Sequence, residues 1–459
     1  MHRQPTIEHV VVLLFENRSF DHTLGYLPHP GRLTGRESNP IDPANPRLGR
    51  VRVNQRARVA AGPDPHHDLL SVNFQLFGNE PLSADPAPMN GFVKSFSEAA
   101  GDDVRVGRRI MECFSPSRLP ALAALAQEYC LCDRWFSSVP GPTWPNRFFC
   151  HAATSDGVAT NDVLHPYDMQ TIYDDLSAKG LTWNIYYHDF PHSVALRRLW
   201  SQRGSFRQYA CFAGDVQRGM LAHYSFIEPR YFDLPGQRAN DFHPPHDVRY
   251  GDRLVADVYK TLRASSQWDR CLLIVSFDEH GGYYDRVSPP RGVPNPDGQV
   301  SADPPFAFTR LGLRVPTVIA SPWIEKGFVD STVYEHASLP ATLSKLFGLN
   351  TFLTARDRAA NTFEGLLVRS TPRADAPAEL PTARRPAEGV PARDIESAPS
   401  GPPATLSEFQ ETLVQLADLV AQEEGPGIPE AAPPTVVMDE AQAALHVQQQ
   451  FDRFLQQSS

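Results

Sequence analysis

Cysteine is scarce in this chain, with six among 459 residues, at 113, 130, 132, 150, 211 and 271. None stands in a C-x-x-C pair, which argues against a cysteine-based zinc site. In a chain this long an even count does not imply a disulfide framework, and buried free thiols are expected. Long apolar runs are missing too: no segment approaches the ~20 residues that a spanning helix needs. Nor is positive charge in excess. Lys and Arg number 43 against 53 Asp and Glu, for a net charge of −10. Without a basic face, nucleic acid is not the expected partner. Anionic substrates need only a local cation and stay open. Met1 to Thr6 is polar, and the first apolar run leads into a crowd of polar residues, not a small-residue cleavage site. The default expectation is a cytoplasmic chain, with leaderless export or a removed leader as alternatives.

What the chain has is ordinary globular material: 41% hydrophobic and 21% charged residues, with 43 prolines that imply many long loops. Its most informative stretch is Ile7 to His22. Val10 to Phe15 is a continuous apolar run, the signature of a strand buried on both faces, and Glu16, Asn17, Arg18, Ser19 and Asp21 follow at once. Cys271 to Phe277 repeats the pattern and runs into Asp278, Glu279 and His280. Open parallel sheets place their sites at the carboxyl ends of strands. If these two ends are adjacent, Glu16, Asn17, Asp278 and Glu279 form an oxygen cage for a hard cation.

The coarse pattern is α/β, with strands expected at 8–15, 130–138, 181–187, 224–228, 270–277 and 315–320. Helices are expected at 118–128, 143–153, 170–178, 250–266 and 336–347. Alternation of the two predicts a mostly parallel central sheet with helices on both faces. Long loops fall at 28–92 and 230–249, a length that usually signals function. Composition divides the chain into a domain over 1–370, a Pro-rich linker over 371–404 and a helical segment over 405–459. In the last, Thr405 and Glu408 read as a capping box. Leu406, Phe409, Leu413, Leu416 and Val420 repeat at helical spacing, and a second helix at about 438–456 carries Leu445, Phe451 and Leu455. Two amphipathic helices cannot bury themselves, so they dock on the domain or on a second copy of the chain.

Thr143 follows Pro140-Gly141-Pro142 and opens an expected helix. One reading makes it an N-cap. The other makes it a nucleophile, since a hydroxyl at a helix N-terminus faces unpaired N–H groups where a phosphate can sit. Trp144, Tyr186 and Tyr187 could stack on a choline head group, against which stands ordinary core packing.

ENRSFDH at 16–22, PGPTWPNR at 140–147, FIEPRYF at 226–232, HPPHDVRYGD at 243–252 and FDEHGGYYDRVSPP at 277–290 resemble, in order, the bacterial phosphoesterase family. That family contains the non-zinc phospholipases C and the respiratory-burst-inhibiting acid phosphatase. The resemblance spans 7 to about 350 and implies an alkaline-phosphatase-like core. It places the nucleophile on Thr143 and metal ligands on Glu16, Asn17, Thr143, Asp278 and Glu279. His67 and His243 match family positions that line the active site, and His280 lies beside the cage as a third catalytic candidate. Asn17 and Asn146, with helix N–H groups, would hold phosphoryl oxygens, and His188 is a further substrate-binding candidate. His336 reads as a helix cap, with a site role as the alternative. The chain departs from the family in two places: Arg286 stands where members commonly show His, and the usual twin-arginine leader is missing.

Oxygen ligands favour Ca²⁺, Mg²⁺ or Mn²⁺, with Zn²⁺ allowed. The implied activity is a metal-dependent phospholipase C that cleaves phosphatidylcholine-type lipids through a phospho-threonine intermediate, touching a membrane surface transiently. The rivals are an acid phosphatase of the same family and a non-enzymatic interaction protein that uses the C-terminal helices for docking or self-association.

Overall fold

In a computed structural model of the chain, residues 6–162, 165–234, 236–384, 406–422 and 438–456 are described. Eight strands form the central sheet: β1 His9–Phe15, β2 Cys130–Cys132, β3 Trp183–Tyr187, β4 Phe206–Gln208, β5 Tyr224–Glu228, β6 Cys271–Phe277, β7 Thr317–Ala320 and β8 Phe328–Asp330. Their order is β8-β2-β7-β6-β1-β5-β3-β4. The apolar runs at β1 and β6 are buried on both faces, as their composition requires, and lie side by side at the centre. Pairing is parallel from β6 through β1, β5 and β3 to β4. The sheet is mostly parallel, as expected, with β8 also parallel to β2; the exception is β7, which runs antiparallel to both β6 and β2.

The main helices are α1 Leu69–Phe77, α2 Pro120–Glu128, α3 Thr143–Ala152, α4 Ile172–Ala178, α5 Val248–Arg263, α6 Ser338–Phe347, α7 Glu408–Gln422 and α8 Glu440–Gln456. Three differences from the sequence reading matter. The loop at 28–92 holds α1 and a small antiparallel pair, Ser38–Pro40 with Arg50–Arg52. The strand expected at 130–138 stops at Cys132, and Trp135–Phe136 pairs instead with Tyr334–Glu335. Part of the expected linker lies on the domain: Arg373 bonds Glu128, the Tyr259 hydroxyl donates to the Pro377 carbonyl, and Leu380 is buried. Residues 385–404 fall outside the described residues.

All six cysteines are free thiols, and five are buried. No helix among the described residues is long and apolar enough to cross a membrane.

Helices α7 and α8 pack on the main domain. Their cap differs from the expected one: Thr405 lies outside the described residues, and Ser407 and Gln410 form the reciprocal pair, each backbone N–H donating to the other's side chain. On α8, Leu445 points outward at 53% exposure. The buried stripe is Ala443, Ala444, Val447, Phe451 and Phe454, with the Phe451 ring against Tyr187, Phe190 and Phe206.

Candidate active site

The register that pairs Phe15 with Phe277 sets the two polar strand ends beside each other. The Asp278 N–H closes the ladder on the Phe15 carbonyl at 3.0 Å. Beyond it the chain turns at Asn17, whose φ is +52°, a left-handed conformation that Asn tolerates. Asp278 Oδ1 then accepts from the Asn17 N–H at 3.1 Å and the Glu279 N–H at 2.7 Å. Glu16, Asn17, Asp278 and Glu279 are all fully buried.

Thr143 opens α3, but it does not cap it. The N-cap position is Pro142, and the Trp144 N–H is satisfied by Asn161 Oδ1 at 3.1 Å. With its hydroxyl not used for capping, Thr143 donates to Glu16 Oε2 at 3.4 Å. One helical turn on, Arg147 presents its side chain to the same face. It pairs with Glu16 Oε1 and donates from Nε to Asp278 Oδ2 at 2.9 Å. Its Nη1 reaches the Tyr231 hydroxyl at 3.1 Å and lies 3.2 Å from His192 Nδ1. Sequence reasoning quoted Arg147 inside a motif and gave it no role. Its i+4 spacing from Thr143 was the available signal.

The Asn17 amide bears on the cation question. One end lies 2.8 Å from Glu16 Oε2 and 3.1 Å from Glu279 Oε1, and the other 3.2 Å from His243 Nε2. With nitrogen inward, the amide hydrogen-bonds both carboxylates. With oxygen inward, three oxygens face one another and need a cation between them. Burial pushes the Glu16 carboxyl well above its usual range against the pull of Arg147, with Asp278 adding to the rise. Burial likewise lifts Asp278 to about 6, and Glu279 rises for the same reason. Such an excess of buried negative charge, with oxygen donors converging, fits a hard divalent cation.

Two histidines complete the front of the cage. His67 Nε2 is 3.4 Å from Asn17 Nδ2, and its Nδ1 lies 2.9 Å from the Pro65 carbonyl. Burial alone would depress His67, but the charges of Glu279 and Asp64 outweigh it and lift the ring to about 9. Burial takes His243 the other way, to about 4, with Asp64 opposing. Asp64, His67 and His243 each place a ligating atom within 4.8 Å of the others, a second cluster able to hold a metal. Asp64 was not foreseen. It sits in the long loop before α1, with no periodic pattern to mark it.

Three expected site residues have other work. Asn146 staples the loop before α3: its Oδ1 accepts from the Val139 N–H, and its Nδ2 faces the carbonyls of Val139, Gly141 and Pro142 at 3.0–3.1 Å. No donor remains for a phosphoryl oxygen. His280 Nε2 meets Gln75 Oε1 at 2.8 Å and its Nδ1 stands 3.4 Å from Glu279 Oε2, so the ring orients a carboxylate; burial holds it well below the usual histidine range. His188 stacks on Tyr209 at 4.2 Å and bonds the Glu228 carbonyl, apart from the cage, and burial lowers it to about 3. His336 does not cap α6; its Nε2 donates to the Asp278 carbonyl. Trp144, Tyr186 and Tyr187 are buried in internal packing, not displayed to a head group.

A family model described as the Phosphoesterase family matches residues 7–350. Among curated proteins, "Non-specific phospholipase C1" of Arabidopsis thaliana is 42% identical over 437 residues, covering 90% of this chain and 79% of that protein. "Non-specific phospholipase C3" of the same plant is 39% identical, covering 98% and 88%. "Non-hemolytic phospholipase C" of Pseudomonas aeruginosa is 27% identical, covering 75% and 54%. Solved structures with a similar chain trace include a protein in the alkaline phosphatase superfamily from Vibrio parahaemolyticus, at 12% identity and a TM-score of 0.36, covering 76% of this chain and 68% of that one.

Proposed function

The chain belongs to the Phosphoesterase family and is a phosphoric ester hydrolase, and from that premise we propose that it is a phospholipase C acting on phosphatidylcholine-type lipids through Thr143. The observation that carries the reading is the Thr143 hydroxyl, buried at the start of α3 and directed at Glu16 instead of at its own helix. A cap residue would bond the backbone of its first turn. A nucleophile needs a partner that accepts its proton, and Glu16 Oε2 is placed for it.

Glu16, Asn17, Asp278 and Glu279, with Thr143, would hold a divalent cation, which when bound supplies a Lewis acid that lowers the pKa of the hydroxyl it touches. Thr143 Oγ attacks phosphorus and its proton passes to Glu16. The diacylglycerol oxygen leaves and takes a proton from His67, the ring that holds one at neutral pH. His243 is neutral there and can accept the proton of the water that hydrolyses phospho-Thr143, while Glu16 returns its proton to the departing Thr143 Oγ. Arg147 fixes both carboxylates from behind and leaves Glu16 Oε2 turned to the hydroxyl.

The relatives whose names specify phospholipase C support a diester over a monoester substrate. Comparing kcat/KM for p-nitrophenylphosphorylcholine and p-nitrophenyl phosphate, at equal metal and pH, tests it. Faster cleavage of the diester is expected. A preference of about tenfold or more for the monoester, a difference of roughly 1.4 kcal/mol in transition-state binding, replaces the reading with the phosphatase one.

A further inference from the structure

A phosphodiester that meets Thr143 carries a negative charge, and most donors expected to receive it are engaged. Asn146 is committed to its loop, the Trp144 N–H to Asn161, and Arg147 to the carboxylates; Pro145 has no N–H. One cation on the front of the site is not engaged in this way. Arg18 follows Asn17 on the turn that carries the cage, and its backbone N–H donates to the Glu279 carbonyl at 3.1 Å. The residue is only 3% exposed, yet its Nε and Nη1 have no hydrogen-bond partner among the described residues.

That arrangement is held in place from one side. The Arg18 guanidinium carbon lies 4.2 Å from the centroid of the Tyr283 ring. His22 stacks on the same ring at 4.0 Å with 12° between planes. Two groups at such distances cannot share one face, so Tyr283 is sandwiched, and the guanidinium is fixed without using Nε or Nη1. Buried N–H groups of a charged side chain are costly to leave unpaired. A planar fork of this kind matches the oxygens of a phosphoryl group and binds them in pairs. Arg18 follows Asn17, whose amide lies 3.4 Å from His67 Nε2 and 3.2 Å from His243 Nε2, and Asp64, whose Oδ1 is also buried and unpartnered, reaches His243, so the turn that carries the fork lies on the His67 and His243 side of the cage.

We propose that Arg18 is a substrate-binding residue whose Nε–H and Nη1–H donate to non-bridging oxygens of the phosphoryl group that Thr143 attacks. The assignment rests on the reading of Thr143 as nucleophile. Because the shared chemistry is a phosphoryl anion, the same fork takes the diester, the phosphorylated head group and inorganic phosphate.

The test uses the full-length, metal-loaded protein and the variants Arg18→Lys and Arg18→Met, with Arg18→Ala for chemical rescue. The readouts are competitive Ki for inorganic phosphate and for phosphocholine, kcat/KM for p-nitrophenylphosphorylcholine, bound metal, and the melting temperature. In Arg18→Met, Ki for inorganic phosphate should rise roughly tenfold to a hundredfold, with kcat/KM falling in step and metal content unchanged. Arg18→Lys keeps the charge and loses the fork, so it should fall between. Added methylguanidinium should restore part of the binding to Arg18→Ala, which a purely structural role would not allow. A rise in Ki for both anions assigns the fork to the shared phosphoryl group; a rise for inorganic phosphate alone assigns it to the free product. Unchanged Ki in both variants, or loss of metal in parallel with loss of binding, overturns the proposal. If the unsubstituted protein shows no diesterase activity, the reading of Thr143 fails, while phosphate binding measured by calorimetry still decides Arg18.

Discussion

The two oxygens of Glu16 look into unlike neighbourhoods. Behind Oε1 the charged groups are paired with one another. Arg147 bridges Glu16 and Asp278, Tyr231 and His192 take its other end, and Glu228 holds His192 and Ser193. Phe409 of α7 closes the region, packed on Trp144 and Tyr231. In front of Oε2 stand Thr143 and the ambivalent Asn17 amide, with unpartnered atoms on Arg18, His22 and Asp64 beyond them. Buried polar groups are ordinarily paired, so exceptions gathered around the cage mark the side that a ligand would complete. On the proposed reading the back is scaffold and the front is chemistry. Substitutions on the two sides should therefore fail in different ways.

The largest effect is expected in front. Thr143→Val keeps the shape of the side chain and removes the proposed nucleophile, so turnover should fall roughly 10³-fold or more with little change in melting temperature. Steady-state kinetics beside a thermal scan measure both. A variant that keeps a tenth of the activity would move Thr143 out of the chemistry and blur the contrast between the two sides.

Arg147→Met should fail as scaffold does. Removing one partner of a buried ion pair leaves Glu16 and Asp278 charged and unpaired, a loss of about 3–5 kcal/mol in unfolding free energy. Urea titration reads it directly. Saturating divalent cation should recover part of the loss, since it answers the same two charges from the front.

The next effect is one of pH. Asp278 is raised to about 6 from an ordinary 3.8, chiefly by burial, so in the metal-free protein it contributes stability that is present below its unfolded value and lost as pH rises through about 6. Glu16 acts in the same sense. His188, lowered by burial and apart from the cage, acts oppositely, but equally in metal-free and metal-loaded samples. The gap in melting temperature between cation-saturated and chelator-treated protein should therefore widen from about pH 5 to about pH 7.5. A gap that does not change with pH would separate the carboxylates from cation binding.

Much of this was legible in the sequence, for identifiable reasons. Runs such as Val10 to Phe15 can be buried only as central strands, and polar residues at their ends then have one place to go. The adjacency of β1 and β6 came from resemblance, because no local pattern encodes which strands pair. Asp64 was invisible because its partner His243 is distant in sequence and its loop has no period. Arg147 was passed over because an arginine on a helix is by default solvated. Leu445 misled because a leucine outweighs an alanine in any hydropathy count, whereas α8 packs on α7 and buries Ala443 and Ala444 in place of Leu445.

The smallest effect tests where the back ends. Trp144 is the residue after Thr143, and its indole Nε1–H donates to Thr412 Oγ1 of α7 at 2.8 Å. The hydroxyl in turn donates to the Phe409 carbonyl one turn earlier, so it belongs to the helix and not to the site. Thr412→Val keeps the volume and removes the acceptor, leaving a buried indole N–H unpaired at a cost of about 1–3 kcal/mol, with about 1 expected where the ring can shift slightly. If α7 only closes the scaffold, that loss appears in the melting temperature while kcat per folded molecule, metal content and the inorganic phosphate Ki stay as they were. A fall of about tenfold in kcat with full metal occupancy would mean that α7 sets the position of the Thr143 hydroxyl through Trp144. The C-terminal helices would then belong to the catalytic front, and the two sides of Glu16 would not be separable.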